Sequence, residues 1–140
     1  VGKRPNLHAI VESSLYVANL DRSARFYEDL LGLRPIFRND RLCAMSVSDK
    51  QVLLLFKRGA SATAAEIAGG TIPGHDASGS IHAAFSISLE SVDDWTRWFN
   101  ENHIPVESTV SWGRGGKSLY FRDPDDHLIE LVTPGTWEIY

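Results

Sequence analysis

The chain is short of the residues that build disulfide, zinc-cluster or membrane proteins. Its 140 residues include one cysteine, Cys43. An intramolecular disulfide is therefore impossible, and a cysteine-rich zinc site is excluded. Cys43 lies in the apolar run Leu42-Cys43-Ala44-Met45. That setting predicts a buried, inert thiol rather than a nucleophile. No apolar run approaches the roughly 20 residues of a membrane span, so no membrane partner is expected. Positive charge is also scarce. Fourteen Lys and Arg stand against 18 Asp and Glu, a net charge of −4. Phosphate binding needs a basic face, so nucleic acid is not expected as a partner. Val1-Gly2-Lys3-Arg4-Pro5 is basic, but no long apolar stretch follows it. No secretory leader is expected, and a cytoplasmic location is the default.

What remains is ordinary globular composition, 43% hydrophobic and 23% charged, in a length that suits one domain or two small fused modules. The order of the residues favours the second description, because the chain is written twice. Glu12 to Val17 predicts a strand. Arg22 to Leu31 predicts a helix, with Ala24, Phe26, Tyr27, Leu30 and Leu31 at helical spacing, Asp21 as N-cap and Gly32 as C-cap. In the second half, His82 to Ile87 is again strand-like. Val92 to Asn102 is again helical, with Trp95, Trp98 and Phe99 on one face, and Ile104-Pro105-Val106 answers Leu33-Arg34-Pro35-Ile36. Arg41 to Val47, a turn at Ser48-Asp49-Lys50 and Gln51 to Phe56 then match Ser118 to Phe121, a turn at Asp123 to Asp126 and His127 to Val132. The interval from Met45 to Gln51 is repeated from Phe121 to His127. The expectation is an α+β fold of two β-α-β-β-β modules, each with one sheet face to bury against the other. Module one spans about 10–58 and module two about 81–134, all within one domain over 1–140. Residues 59–80, rich in glycine and other small residues, form a linker or a lid.

The return strand from His127 to Val132 is apolar except for Glu130 and its first residue. A carboxylate among buried-type residues is costly unless it is paired, hydrogen-bonded or bound to a cation. The repeat aligns Glu12 with His82, each at the start of its strand, and Leu54 with Glu130, each in the middle of its last strand. Three of these four positions carry metal-ligand types. Glu12, His82 and Glu130 are therefore the expected ligands of a divalent ion. Oxygen-rich ligation suits Mn²⁺, Fe²⁺ or Mg²⁺, with Zn²⁺ and Ni²⁺ also open.

At this point the chain resembles a known family. Leu15 to Leu33, L-Y-V-A-N-L-D-R-S-A-R-F-Y-E-D-L-L-G-L, is similar to the opening signature of the vicinal oxygen chelate superfamily. Tyr120 to Leu131, Y-F-R-D-P-D-D-H-L-I-E-L, is similar to its closing signature. The superfamily includes glyoxalase I, fosfomycin-resistance thiol transferases, extradiol dioxygenases, methylmalonyl-CoA epimerase and bleomycin-binding proteins. The resemblance covers Val11 to Pro134. It implies two β-α-β-β-β modules whose curled mixed sheets form a metal-bearing cleft. It also implies ligands on the first strand of each module and on the last strand of the second, where Glu12, His82 and Glu130 stand. The chain departs from the pattern twice: thiol transferases and dioxygenases carry His where Glu12 stands, and glyoxalase I carries a fourth ligand where Leu54 stands.

The resemblance further implies that Glu12 or Glu130 detaches from the metal to act as base. Tyr120 lies on the strand before Glu130 and either donates to a substrate oxygen or packs the sheet. Ser118 alternates with Tyr120 and shares its face, and in the thiol transferases the matching Ser and Tyr line the substrate pocket. The loop Ser111-Trp112-Gly113-Arg114-Gly115-Gly116-Lys117 either clamps an anionic group, such as a carboxylate or glutathione, or is a solvated hairpin tip. His75, in the linker, is either a surface residue or an acid–base group of a lid. His127 is expected to face away from Glu130.

Three functions follow. The first is a glyoxalase-like, metal-dependent lyase, isomerase or thiol transferase acting on a small oxygen-rich substrate. The second is an extradiol-type ring-cleaving dioxygenase, which Glu12 in place of His disfavours. The third is a metal-free binding protein of the bleomycin-resistance type, with Trp112 and Trp137 near its cleft. A homodimer is expected, because the modules can close on each other within one chain or across two.

Overall fold

The computed structural model describes residues 2–140. Module one runs β1 (Glu12–Val17), α1 (Leu20–Leu31), β2 (Arg34–Arg38), β3 (Leu42–Ser46) and β4 (Val52–Lys57). A short hairpin follows, β5 (Ala65–Ile67) and β6 (Gly70–Ile72). Module two runs β7 (His82–Ser86), α2 (Val92–Glu101), β8 (Ser108–Ser111), β9 (Lys117–Arg122) and β10 (Leu128–Val132). The two large sheets have the same order, β1-β4-β3-β2 and β7-β10-β9-β8. In each, the first strand pairs parallel with the last and the other pairs are antiparallel. Their registers also correspond. Glu12 lies opposite Val52 and His82 opposite Leu128, while Ser14 lies opposite Leu54 and Ala84 opposite Glu130. The fold is α+β with two mixed four-stranded sheets, as the repeat implied.

Local chemistry explains the boundaries of α1. Asn19 takes the extended backbone of an N-cap, and its side chain accepts from the Arg22 N–H. The expected cap, Asp21, instead sits in the first turn, where its charge favours the positive end of the helix dipole. Gly32 closes the helix in the left-handed conformation (φ 72°), a backbone that costs glycine nothing. The second strand of module two was misplaced by the repeat. Ile104-Pro105-Val106 is coil, and β8 begins at Ser108. The counterpart Pro35 sits within the edge strand β2, so the proline alone does not exclude a strand. His103 leaves α2 at φ 57°, and the Ile104 N–H bonds back to the Phe99 carbonyl.

Alternation sets the faces of the sheets. Leu15, Val17, Leu53 and Leu55 of module one and Leu119, Phe121, Ile129 and Leu131 of module two point inward with Tyr27, Leu30 and Phe99 into one buried cluster. Helix α1 contacts module two directly. Phe26 meets Phe121 and Tyr27 meets Phe85, each with ring centroids 6.4 Å apart, and the Trp98 indole donates to the Leu30 carbonyl.

The turn Asp123-Pro124-Asp125-Asp126-His127 fastens the modules. Asp123 accepts from the Tyr27 hydroxyl at 2.7 Å and from the backbone N–H groups of Asp125 and His127. The Asp125 side chain, 2% exposed, accepts from the Ala18 N–H at 2.8 Å and the Ser23 hydroxyl at 3.1 Å. Arg22 and Arg58 stand 3.3 and 3.7 Å from it. His127 is buried and faces away from Glu130, as its parity predicted. Its Nδ1 accepts from the Ile81 N–H, so its Nε2 carries the proton and donates to the Tyr16 carbonyl of β1. What reads in sequence as ordinary turn chemistry is thus the clasp between β10 and module one.

Candidate metal centre

The face of module two opposite the core carries His82 on β7, Glu130 and Val132 on β10, and Ser118 and Tyr120 on β9. In register, Glu130 lies opposite Tyr120, and Val132 opposite Ser118. Glu130 is 7% exposed and would be costly there without partners. It has them. Ser118 donates to its Oε1 at 2.5 Å, and its Oε2 lies 3.1 Å from His82 Nε2.

The tautomer of His82 follows from its other nitrogen. Nδ1 lies 2.8 Å from the Leu128 carbonyl, an acceptor only, so Nδ1 carries a proton. A neutral His82 then presents a lone pair at Nε2 to a carboxylate oxygen. Two acceptors facing at 3.1 Å call for a proton or a cation between them. An ion with ligands about 2.1 Å away at a right angle separates two donor atoms by about 3 Å. Donor types, tautomer and spacing all fit a divalent metal, with the Leu128 carbonyl orienting the imidazole as backbone groups orient ligating histidines elsewhere.

The third expected ligand is not with them. Among the described residues, no group of three His, Cys, Asp or Glu side chains comes close enough to hold a metal ion. Glu12 is exposed at the start of β1 and, with Ser14, His82, Ala84 and Ser86, lines a cleft of about 580 Å³ between the modules. The structure therefore assembles His82 with Glu130 and leaves Glu12 apart from them within one chain. Leu54, the repeat's counterpart of Glu130, offers no ligand.

The other candidates are spread over both modules. Tyr120 is half-buried, its ring 6.3 Å from that of His82. Desolvation pushes its phenol above the ordinary value of 10, Ser118 pulls it back in part, and the Glu130 charge adds to the rise. Tyr120 thus holds its proton at neutral pH and can donate it in a hydrogen bond. Ser118 is fully buried, so its place is beneath Glu130 rather than on a pocket wall. Trp112 opens the β8–β9 tip, and its indole donates to Ser118 Oγ at 2.8 Å. Arg114 is exposed on that tip. Lys117 adjoins Ser118 on β9 and so points to the opposite face of the sheet.

His75, in the segment 59–80, packs on module one. Its Nδ1 lies 2.6 Å from the Tyr16 hydroxyl, and its ring stands edge-on to Phe56 with centroids 4.5 Å apart. The loop that carries it is tied at its neck. The His75 N–H bonds the Ser61 carbonyl, and a Cβ on Gly74 would meet the Ala62 carbonyl oxygen at 2.4 Å. Tyr16 escaped the sequence reading, although alternation places it on the same face as Glu12 and Ser14.

With this geometry in place, the relatives are informative. The description "Glyoxalase/Bleomycin resistance protein/Dioxygenase superfamily" matches residues 7–131. The metallothiol transferase FosB of Staphylococcus saprophyticus is 27% identical over 119 residues, covering 84% of this chain and 71% of FosB. The crystal structure of lactoylglutathione lyase from Agrobacterium tumefaciens is 33% identical, with a TM-score of 0.85 over 97% of this chain and 99% of that one. The fosfomycin resistance protein FosX of Listeria monocytogenes is 20% identical, with a TM-score of 0.62 over 94% of each chain, a likeness of fold. On the match over residues 7–131, the chain belongs to the glyoxalase/bleomycin resistance protein/dioxygenase superfamily.

Proposed function

We propose that this chain is a metal-dependent enzyme of the glyoxalase type, acting on a small oxygen-rich substrate by lyase, isomerase or thiol-transfer chemistry. The observation that carries this reading is the His82–Glu130 pair, an imidazole nitrogen 3.1 Å from a buried carboxylate oxygen, with the other ring nitrogen held by the Leu128 carbonyl. His82 and Glu130 would hold Mn²⁺, Fe²⁺, Zn²⁺ or Ni²⁺, and Glu12 of a second copy would supply the third ligand. Two observations support the second copy. Among the described residues no third His, Cys, Asp or Glu joins the pair, and Glu12 is exposed and lines the cleft. A homodimer then carries two equivalent sites.

A bound divalent ion supplies electrophilic stabilisation of charge that develops on substrate oxygens. The chain's own residues do the rest. Tyr120 keeps its phenolic proton and donates a hydrogen bond to a substrate oxygen. Glu12, exposed and held by no hydrogen bond in the described chain, is free to act as the base. Arg114, on the glycine-rich tip, receives the anionic end of the substrate or of a thiol such as glutathione. His75, seated on Tyr16 and Phe56, is the acid–base group that the segment 59–80 offers. The names of two relatives, metallothiol transferase and lactoylglutathione lyase, favour thiol-linked chemistry.

The test is a turnover screen with glutathione and bacillithiol, each offered an α-ketoaldehyde and an epoxide, with each of the four metals added. Turnover that requires one metal and is abolished by a chelator is expected. Turnover indifferent to chelation overturns the metal-dependent reading, and tight substrate binding without turnover or metal points to a sequestering protein.

A further inference from the structure

The structure assigns Trp112 as a positioning residue for the Glu130 carboxylate, acting through Ser118. This rests on the metal reading above and extends it to a residue that touches no ligand atom. A serine hydroxyl has one proton to donate, and an indole N–H can only donate. The direction of the chain is therefore fixed. Trp112 Nε1–H occupies Ser118 Oγ as acceptor at 2.8 Å, and the Ser118 proton goes to Glu130 Oε1 at 2.5 Å. With Oε1 held in this way, Oε2 is left facing His82 Nε2. A turn of the Glu130 carboxylate away from this pose would orphan a hydroxyl that is fully buried, at the cost of an unsatisfied polar group.

The indole is itself held in place. The Trp112 N–H bonds the Gly116 carbonyl at 2.8 Å and the Gly115 N–H bonds the Trp112 carbonyl at 2.9 Å, closing the tip on itself. A Cβ on Gly116 would meet the Gly135 carbonyl carbon at 2.5 Å, so the tip is packed directly on the C-terminal segment. Gly116 is needed for that approach. A rigid tip, a donor of fixed direction and a buried hydroxyl thus set one oxygen of the carboxylate before any ion arrives.

The experiment is Mn²⁺ titration followed by the electron paramagnetic resonance of the free ion, on the intact protein and on Trp112→Phe, Ser118→Ala and Ser118→Thr. Partners outside the ligand set are typically worth 10–100-fold in metal affinity. Ser118→Ala is expected to weaken Mn²⁺ binding by roughly 10–100-fold and Trp112→Phe by about 3–10-fold, with Ser118→Thr recovering most of the loss. Thermal midpoints check that each variant is folded. Trp112→Phe keeps an aromatic side chain and removes the N–H donor together with the five-membered ring. A second readout is the Trp112 emission change on adding diamagnetic Zn²⁺, expected in the wild type and reduced in Ser118→Ala, which keeps the indole. Unchanged Mn²⁺ affinity in Trp112→Phe and Ser118→Ala, beside wild-type binding, overturns the relay and leaves the metal site standing. A wild type that binds neither Mn²⁺ nor Zn²⁺ overturns both.

Discussion

Replacing Asp125 by alanine should loosen the two modules from each other more than any change of comparable size on the surface. The carboxylate lies 2% exposed at the clasp and is the acceptor for two groups of module one, the Ala18 N–H and the Ser23 hydroxyl. It also faces the Arg22 and Arg58 guanidinium groups. Arg22 is half-exposed and loses little. The stranded Ala18 and Ser23 donors each cost about 1–3 kcal/mol if they stay dry. Breaking a buried charged contact from one side typically costs about 3–5 kcal/mol in total. We therefore expect Asp125→Ala to lose about 3–5 kcal/mol. With a urea slope of about 2 kcal/mol/M, the midpoint falls by about 2 M. Asp125→Asn keeps one acceptor oxygen and should lose less than half as much. Asp94→Ala removes the exposed ion pair with Arg97 and should stay within about 0.5 kcal/mol of wild type. Equilibrium urea unfolding followed by circular dichroism gives all three values. An Asp125→Ala midpoint equal to that of Asp94→Ala would refute the clasp.

Other outcomes follow from the same structure. If Glu12 acts across a dimer, co-expressed Glu12→Gln and Glu130→Gln chains should regain metal at about a quarter of the sites by random pairing, whereas sites formed within one chain would regain none. Tyr27 is buried with its hydroxyl on Asp123, and burial first, then that carboxylate, pushes its phenol far above the ordinary value of 10.0. A raised folded pKa means that stability is fully present below pH 10 and falls as the unfolded chain ionises above it. The slope is about 1.4 kcal/mol per pH unit for this one group, and Tyr27→Phe should remove that share of the alkaline loss in unfolding measured from pH 9 to 11. Burial likewise pushes the Cys43 thiol up, so a chromogenic disulfide reagent should react with it in urea and not in the native protein.

Much of the fold was legible because local signals repeat. The strand–helix–strand rhythm, Gly32 as a left-handed cap and the equal spacing of the two closing hairpins all act over a few residues. Errors arose where local signals compete. Asn19 and Asp21 are both good caps, and only the extended backbone at Asn19 separates them. Pro105 carried the repeat's pattern, but its counterpart Pro35 stands within the edge strand β2, so the pattern alone does not place the strand. The neighbourhood of His82 and Glu130 followed from matching the modules, since the first and last strands pair in both. Where Glu12 stands relative to that pair depends on how the modules meet, a contact fixed by Asp125, His127 and Tyr27 over long sequence distances. The same holds for Ser118. Its face was predictable by alternation, but its burial under Glu130 and the indole behind it required the strand register.

Metal content tests the central claim most directly. Protein purified without chelator, and again after exposure to Mn²⁺, Fe²⁺, Ni²⁺ and Zn²⁺, would be measured by elemental analysis beside folded His82→Ala, Glu130→Gln and Glu12→Gln variants. The account predicts about one ion per chain in the wild type, lost in the first two variants and strongly reduced in the third. A wild type that takes up none of the four ions, or His82→Ala and Glu130→Gln proteins that keep their metal, would contradict it.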